Sequence, residues 1–477
     1  MKTHMPFSLI LLACLICLPV HAGIILVPND SATIQGAIDM AADGDTIIVA
    51  EGVYAENIHF HGKNIIVRST DPQDSSVMYA TTIKGDINSD AIGDGPVVTF
   101  DGTETDACAL MGFDIYKGKS PNGGGICGNG THAAIRYNRI IENQAIFTVD
   151  PSGNGGGIYD CDGLIEFNTI TGNSSDAEYG AGGGLYGCDG TIRNNQITSN
   201  DASWGGGLAY CHGHIYRNKI FTNTALTGSQ NGGGLLSCNG TVEYNEIINN
   251  HAGGYGGGIS SCDGTIRGNL IRFNQASGGA GINACGATIE NNIILQNSAS
   301  GSVNSKGGGI LYCSVKVINN TVWGNTSSGT GGGMEGCSGV IKNCIIWGNT
   351  APSGAQMRSC SLPEYCCVQS WTAGGTGTIT ADPQMHDPAN NDIHLSALSP
   401  CVDAGGRIDT LTTDYEGQTR PFNGSTTPRG DGSDWDIGAD EYSTDVIPTP
   451  TPTPYITPTP TVSPTPTPSP TPTPIPT

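Results

Sequence analysis

Residues that could do chemistry recur at one position of a repeated segment, directly after a cysteine. This position is occupied by Asp162, Asp189, His212, Asn239 and Asp263. If successive segments stack about 4.8 Å apart, the first two carboxylates come close enough to bind a cation such as calcium or to raise a carboxyl pKa. The histidine would then be available as a proton acceptor. Asp-Gly and Asn-Gly are also common turn dipeptides, and a turn without chemistry is the favoured interpretation.

The segment itself occurs eight times between Gly155 and Asn349, and its clearest copy is GGGIYDCDGLIEFNTITGN at residues 155–173. Counting from the cysteine, aliphatic residues stand at positions −3, +4 and +9, and asparagines stand at +7 and +12. Successive cysteines are 23 to 28 residues apart, a period typical of solenoids. The repeated cysteines are Cys161, Cys188, Cys211, Cys238, Cys262, Cys285, Cys313 and Cys337.

The composition of the repeat selects the type of solenoid. Each copy carries several glycines and shows no helical periodicity, which excludes leucine-rich and helical repeats. Short β segments joined by tight turns remain, with one coil per repeat and the three aliphatic positions pointing inwards. Length varies only between the +12 asparagine and the next glycine triplet. The predicted fold is therefore an all-β, right-handed, single-stranded parallel β-helix.

The repeated asparagines are predicted to form ladders between coils. An asparagine can adopt a left-handed turn conformation and hydrogen-bond its counterpart in the next coil. The alternative, a ligand site lined with asparagine, is less favoured. Position +7 holds Asn168, Asn195, Asn218, Asn245, Asn269, Asn292 and Asn320, and position +12 holds Asn173, Asn200, Asn223, Asn250, Asn274, Asn297, Asn325 and Asn349.

The cysteine column is predicted to be mainly reduced, buried and structural. Residues on the same face of adjacent coils have parallel Cβ vectors about 4.8 Å apart, wider than the usual separation across a disulfide of about 3.8 Å. Metal binding is not favoured, because no CxxC pair or histidine partner recurs. If a disulfide exists, it is expected near the lower end, among Cys344, Cys366, Cys367 and Cys401.

Taken together, these motifs resemble the right-handed parallel β-helix repeat proteins of the pectin-lyase-like superfamily, especially secreted bacterial ones of unassigned activity. IEFN at 165–168 and IRFN at 271–274 also resemble the FxxN repeats of chlamydial outer-membrane adhesins. The resemblance covers residues 26–442. It implies the fold and leaves the activity open, since this superfamily contains lyases, hydrolases, esterases and adhesins.

The first segment after the leader is predicted to be a strand, a helix and a strand over residues 26–50. The expected helix has Asp30 or Ser31 as its cap, Gly44 near its end, and an apolar face that covers the first open coil. That face comprises Ile34, Ala37, Ile38 and Ala41. The stretch is similar to the N-terminal segment of pectin methylesterases, where it is structural.

Five segments follow from these patterns. An apolar run after Lys2 that ends in Val-His-Ala indicates an export signal, and a net charge of −23 argues against nucleic acid or anionic lipid as partners. A calcium loop at residues 86–97 is not supported, because Ala91 and Val97 replace its glycine and glutamate.

The segments are 1–22, signal peptide; 23–122, N-terminal cap and first coils; 123–350, repeat coils; 351–442, last coils and C-terminal cap; and 443–477, a disordered, extended Thr-Pro tail.

The sequence favours a binding, adhesive or structural role on polysaccharide or another cell-envelope component, for an exported, surface-displayed monomer without a bound cofactor. Calcium stays an open alternative at the aspartate column. Tyrosines before the cysteines offer stacking surfaces for sugar rings: Tyr159, Tyr186, Tyr210 and Tyr312. A polysaccharide lyase or glycoside hydrolase acting through Asp162, Asp189 and His212 is the alternative. No complete catalytic constellation accompanies these residues, and His59 and His61 are expected to face solvent.

Overall fold

The computed structural model describes residues 22–85, 95–146, 153–176, 178–225, 231–425, 427 and 429–443. The predicted signal peptide, the segment 86–97 that was compared with a calcium loop, and the Thr-Pro tail lie almost wholly outside these residues. Parts of the variable turn, at 147–152, 177 and 226–230, also lie outside them.

The described chain winds into stacked coils, and each strand of a coil pairs in parallel with its counterpart in the next coil. Ile165 pairs with Ile192, and Ile192 pairs with Ile215, so equivalent repeat positions stack directly on one another. The prediction of an all-β parallel β-helix is confirmed.

Four sheets run along the coils. Sheet 1, which contains position +4, has strands Ile24–Val27, Thr46–Val49, Ile66–Ser69, Ala109–Met111, Ala134–Arg136, Leu164–Glu166, Thr191–Arg193, His214–Tyr216, Thr241–Glu243, Thr265–Arg267, Thr288–Glu290, Lys316–Ile318 and Val340–Lys342. Sheet 2, which contains position +9, has strands Gly52–Tyr54, Thr81–Lys84, Asp114–Tyr116, Arg139–Ile141, Thr169–Thr171, Gln196–Thr198, Lys219–Phe221, Glu246–Ile248, Leu270–Arg272, Ile293–Leu295, Thr321–Trp323, Ile345–Trp347 and Cys367–Val368.

The other two sheets have shorter strands. Sheet 3, after position +12, has strands Lys119–Ser120, Gln144–Ala145, Ser174–Ser175, Asp201–Ala202, Thr224–Ala225, His251–Ala252, Gln275–Ala276, Ser298–Ala299 and Thr326–Ser327. Sheet 4, which contains position −3, has strands Ile58–His59, Val98–Thr99, Ile126–Thr131, Ile158–Cys161, Leu185–Tyr186, Leu208–Ala209, Leu235–Leu236, Ile259–Ser260, Ile282–Asn283, Ile310–Leu311, Met334–Glu335 and Met357–Arg358. Met385–Asp387 and Asp392–Leu395 form an antiparallel hairpin around the short 3₁₀ helix Pro388–Asn390.

The three aliphatic positions and the cysteine fill the interior. In the clearest coil, Ile158, Ile165, Ile170 and Cys161 are each 0% exposed and belong to one continuous core cluster. Burial of such side chains contributes about 1.5–3 kcal/mol each, and the in-register pairing repeats the gain in every coil. The interior is therefore a column of identical layers.

The ladder asparagines do not adopt the left-handed backbone conformation, contrary to the prediction. That conformation is found at the residue directly before each buried corner position. Positive φ angles occur at −1 and +6, for example at Asp160 (53°) and Phe167 (56°), and also at +11, where Gly172 has a φ of 62°. Each such residue turns the chain at a corner, so that the next side chain enters the interior. Asn168 and Asn173, which follow two of these corners, are buried.

The asparagines at +7 form a continuous hydrogen-bonded ladder. The side-chain oxygen Oδ1 of Asn218 accepts two hydrogen bonds from Asn195, one from its backbone N–H and one from its side-chain amide, both at 3.0 Å. Its own amide donates to Ile192 O at 2.8 Å and to the side-chain oxygen of Asn245 at 3.1 Å. The +12 asparagines repeat this pattern. Along both ladders the buried asparagine side chains are thus paired, as the interior requires.

The N-terminal helix α1 spans Ile34–Met40, and Ile34, Ala37 and Ile38 are buried against the first coils. Its cap is Thr33, which accepts from Gly36 N at 3.0 Å, so the prediction of Asp30 or Ser31 as cap is wrong. The reason is that both residues are engaged in the preceding turn, where Asp30 accepts from Leu26 N and Ser31 donates to Thr33 O. The second helix, α2, spans Ser75–Ala80.

The segment after the last coil also packs along the side of the β-helix. Ile393 and Ala439 bury Ile293 and Leu295, two outward-facing residues of sheet 2. Gly438 N donates to Asn343 O at 2.8 Å. The apolar character of outward positions in these late coils therefore has a packing cause.

This C-terminal segment contains buried charged groups. Arg420 donates to Glu441 at 2.7 Å, and both side chains are almost fully buried. Hydrogen bonding to Glu416, together with the charge of Asp440 and a hydrogen bond to Asp392, raises the pKa of His394 from 6.5 to about 10. Burial raises the pKa of Asp440 to about 6 and that of Glu441 to about 7. The three shifts all favour the protonated forms.

Replacing Asn218 with alanine is expected to lower the free energy of unfolding by about 2–5 kcal/mol, because buried partners on both sides lose their hydrogen bonds. Denaturant unfolding measures this loss. Gln196→Ala, an exposed change in the same sheet region, is the control and should shift stability by less than about 0.5 kcal/mol. Equal effects of the two variants would contradict a stabilising ladder.

His394→Gln is expected to lower the thermal midpoint most below pH 6.5. The raised pKa of His394 means that its contribution is fully present below the unfolded value and is lost as the pH rises through about 10. The difference in midpoint between wild type and variant should therefore shrink across this range. His132→Gln, which changes an exposed histidine, is the control. A difference that stays constant with pH would refute the assignment.

Candidate functional site

The residues after the cysteines form a hydrogen-bonded ladder on the outside of the β-helix. The Oδ1 atom of Asp162 accepts from Asp189 N at 2.8 Å, and the Oδ1 atom of Asp189 accepts from His212 N at 2.7 Å. Nδ1 of His212 accepts from Asn239 N at 3.2 Å, and Asn239 accepts from Asp263 N at 3.0 Å. Each side chain thus binds the main chain of the next coil.

This geometry assigns a structural task to one oxygen of Asp162 and one of Asp189. Asp162 is half-buried, whereas Asp189 and His212 are exposed. The structure brings the three candidates into one row, in coil order, and each is oriented towards the next backbone amide. Their spacing follows from stacking alone, and no hydrogen bond joins one of these side chains to another among the residues described.

A cleft of about 370 Å³ is formed by residues that precede the cysteines of these coils, and we call it the aromatic cleft. Its rings come from two coils: Tyr186 on a strand of sheet 4, Tyr210 at a left-handed corner with a φ of 55°, and Trp204 directly before a glycine triplet. Trp204 and Tyr186 pack on a small cluster formed by three buried side chains. The lining residues are Asn154, Tyr179, Ala181, Tyr186, Trp204 and Tyr210.

The rings of the cleft continue a stack from the neighbouring coil. Tyr159 and Tyr186 have centroids 5.5 Å apart and are tilted by only 4°. Tyr186 and Tyr210 have centroids 5.4 Å apart and are tilted by 53°. Tyr210 and Tyr179 remain 41% and 56% exposed. The arrangement presents several ring faces and edges to solvent at fixed positions.

The surroundings of the cleft are acidic. Asp160 stands at the corner next to Tyr159, and burial followed by repulsion from Asp162 raises its pKa above the ordinary value. Burial also raises the pKa of Tyr159 and Tyr186, and both phenols feel the charge of Asp160. Neutral phenols beside carboxylates provide hydrogen-bond donors and acceptors next to apolar ring faces.

The fourth tyrosine of the predicted stripe lies apart from the other three. Tyr312 occupies the same repeat position as Tyr210 and has a φ of 53°. Its hydroxyl accepts from Lys306 Nζ at 3.0 Å, and the ammonium lies 5.7 Å from the ring centroid. The stripe is therefore a cluster of three tyrosines and one tyrosine paired with a lysine.

Sequence reasoning missed Trp204, Tyr179 and Asn154. All three lie in or next to the variable turn before a glycine triplet, where the repeat pattern assigns no fixed residue type. The detectable signal is the aromatic residue itself, since the repeat pattern requires none in this turn; Tyr255 is another aromatic residue directly before a triplet. An aromatic side chain in a solvent-facing, non-periodic turn indicates binding more than packing.

The cysteine column is made of free thiols that are fully buried from Cys161 to Cys337. Burial raises the pKa of the Cys161, Cys211 and Cys262 thiols well above the usual range. Backbone amides approach some of the sulfurs, as when Cys238 N donates to the sulfur of Cys262 at 3.2 Å. All fifteen described cysteines are free thiols. At the lower end, Cys367 and Cys401 share one apolar cluster.

Only one group of three residues with convergent metal-ligating atoms occurs in the described parts of the chain, and it lies outside both the aspartate row and the cleft. It consists of His59, His61 and Asp101. None of the described helices has the length and apolar character needed to cross a bilayer.

No protein-family pattern and no curated protein matches the chain. Among solved structures, it is similar to the pectate lyase Pel9A (13% identity, 88% of this chain and 96% of that chain covered, TM-score 0.32). It is also similar to an alginate lyase from Paenibacillus sp. str. FPU-7 (14%, 70% and 97%, TM-score 0.23). A third similar structure is the A-module of the mannuronan C-5 epimerase AlgE4 from Azotobacter vinelandii (15%, 74% and 96%, TM-score 0.28).

Thiol titration of a chain that begins at Gly23 is expected to find fifteen free thiols after unfolding without reductant. In the native state most should react slowly, because the thiolate is the reactive form and burial suppresses it. The half-buried Cys127 and Cys360 should react first. A deficit of two thiols in the unfolded chain would contradict the free-thiol assignment, and peptide mapping of Cys367 and Cys401 would then locate the bond.

Proposed function

We propose that this protein is an exported, surface-displayed β-helix that binds polysaccharide without cleaving it, and that the aromatic cleft holds the sugar chain. The observation that carries the proposal is the set of four aromatic side chains around one 370 Å³ cleft. Pyranose rings present flat C–H faces, which stack favourably on aromatic rings. The β-helix holds these rings on rigid coils, so that little ordering entropy is lost on binding.

The charge of the chain favours a neutral ligand. The protein carries a net charge of −23, and the charge of Asp160 acts on Tyr186, a residue of the cleft. A uronic-acid polymer would meet like charge there, which weakens association unless cations screen it. A neutral β-linked glucan or xylan meets no such repulsion, and its hydroxyls can pair with the carboxylates and with Asn154.

The competing proposal is a lyase or glycoside hydrolase that uses Asp162, Asp189 and His212. In glycoside hydrolysis two carboxyl groups face each other across the scissile bond. Here one oxygen of each aspartate is held by the backbone amide of the next coil, and the side chains follow one another along the β-helix axis. This orientation supports the binding role over the catalytic one.

The test is binding of soluble β-glucan, xylan, polygalacturonate and alginate, with and without calcium, measured by calorimetry or affinity electrophoresis. Tyr210→Ala and Trp204→Ala should each weaken binding of the neutral polymers about three- to tenfold, the loss expected for one stacking contact of 0.5–1.5 kcal/mol. Tyr312→Ala is the matched control. It removes a tyrosine from the same repeat position, with 47% exposure against 41% for Tyr210, and should leave binding unchanged.

Equal losses in the Tyr210 and Tyr312 variants would place binding outside the cleft. Formation of reducing ends or of 235-nm absorbance that disappears in Asp189→Ala would replace the binding proposal with the enzymatic one. Retention of polygalacturonate only in the presence of calcium would overturn the preference for neutral chains.

A further inference from the structure

The first coils bring two histidines and an aspartate together. His59 lies on the strand Ile58–His59 of sheet 4, whose residues pair with Val98 and Thr99 of the following coil. Continuing this register places His61 opposite Asp101. Phe60 and Phe100, the residues just before these two, stack in the core with centroids 4.4 Å apart. His59 and His61 flank the buried Phe60, and both side chains stay partly exposed on the outer face.

The ring nitrogens converge instead of pointing separately into solvent. His61 has a left-handed φ of 56°, and its ring centroid is 4.3 Å from that of His59. Nε2 of His59 lies 2.5 Å from an oxygen of Asp101. One ligating atom from each of the three residues lies within 4.8 Å of those of the other two.

Helix α1 completes the group from the opposite side. Asp39 Oδ1 lies 3.6 Å from Nε2 of His61. Gln35 connects helix and strand: its oxygen accepts from His59 N at 2.7 Å, and its amide donates to Asp39 at 2.8 Å. The same amide is 3.3 Å from Nε2 of His61. To bind an ion through that nitrogen, His61 has to exchange this contact for a metal bond, because an imidazole nitrogen has only one lone pair.

We propose that His59, His61 and Asp101 bind a divalent transition-metal ion of the zinc class, with Asp39 of α1 next to the group. Two imidazoles with carboxylates suit zinc, copper or nickel better than calcium or magnesium, which prefer oxygen ligands. A tetrahedral ion with bonds of about 2.0–2.2 Å needs its ligand atoms roughly 3.3 Å apart. The three ligand atoms lie within 4.8 Å of one another, so binding would draw them together by up to about 1.5 Å.

The ion would fasten the cap to the coils that it covers. His59 and His61 belong to one coil and Asp101 belongs to the next, and Gln35 and Asp39 of α1 contact the two histidines. The first coils have a neighbour on one side only, so the end of a solenoid is where opening begins. Binding to the folded state alone stabilises that state in proportion to the logarithm of the free metal concentration. The half-exposed side chains, between 38% and 58% exposed, leave the ion accessible from solvent.

The test uses the full chain, treated with chelator and then titrated with zinc in competition with a chromophoric chelator. One equivalent should bind, and the double variant H59A/H61A should weaken that binding by about 100-fold or more, because even outer partners of metal ligands change affinity 10–100-fold. His132→Ala is the matched control, since it removes one exposed histidine outside the group. Asp101→Asn tests the carboxylate with little change in shape, and it keeps the test valid if the double variant fails to fold.

Cobalt substitution distinguishes this site from the cysteines. Nitrogen and oxygen ligands should produce only weak visible bands, whereas thiolate ligands add an intense charge-transfer band in the near ultraviolet. Wild-type protein should also gain thermal stability with zinc, and H59A/H61A should not. Unchanged zinc affinity in both the double variant and Asp101→Asn, or a thiolate band at the first equivalent, would overturn the proposal. Binding of polysaccharide is a separate readout, so failure of one proposal leaves the other standing.

Discussion

Direct stacking of equivalent residues in successive coils is the constraint on which the rest of this structure depends. Parallel pairing places isoleucine on isoleucine, cysteine on cysteine and asparagine on asparagine along the axis. The backbone must then come very close at the corners. A Cβ atom on Gly183 would lie 2.4 Å from Asp201 O and 2.7 Å from Gly206 O, so this corner accepts only glycine. The glycine triplets allow the tight turns, and the asparagine ladders pair the buried amides that these turns leave without a strand partner.

Because the interior is so constrained, function is left to the positions that the repeat does not specify. The position directly after the cysteine can hold aspartate, histidine or asparagine, since each of these side chains can accept a hydrogen bond from the backbone N–H of the next coil. The turn before the glycine triplet tolerates Trp204 as readily as a small residue. Aromatic rings and carboxylates therefore accumulate on one side of the β-helix without disturbing its core, and a rigid scaffold presents them at fixed spacing.

The two ends of the described β-helix are protected differently. At the first coils, α1 covers the open end and Glu56 accepts from its first amides at 3.0 and 2.9 Å. At the late coils, the C-terminal segment covers outward apolar residues of sheet 2 and encloses the Arg420–Glu441 ion pair. A one-dimensional core has no other way to avoid fraying than added elements at its ends.

By itself, the sequence determined the periodic part of this protein. The spacing of Ile158, Cys161, Ile165 and Asn168 specifies which side chains enter the core and which form ladders, since a repeat of identical coils makes neighbours in space predictable from positions along the chain. Only the tertiary structure decided the non-periodic part. The convergence of His59, His61 and Asp101, the grouping of Trp204 with Tyr186 and Tyr210, and the cover over Ile293 all join residues whose separation follows no repeat. The conformation of turns and ends depends on long-range packing, which no local pattern encodes.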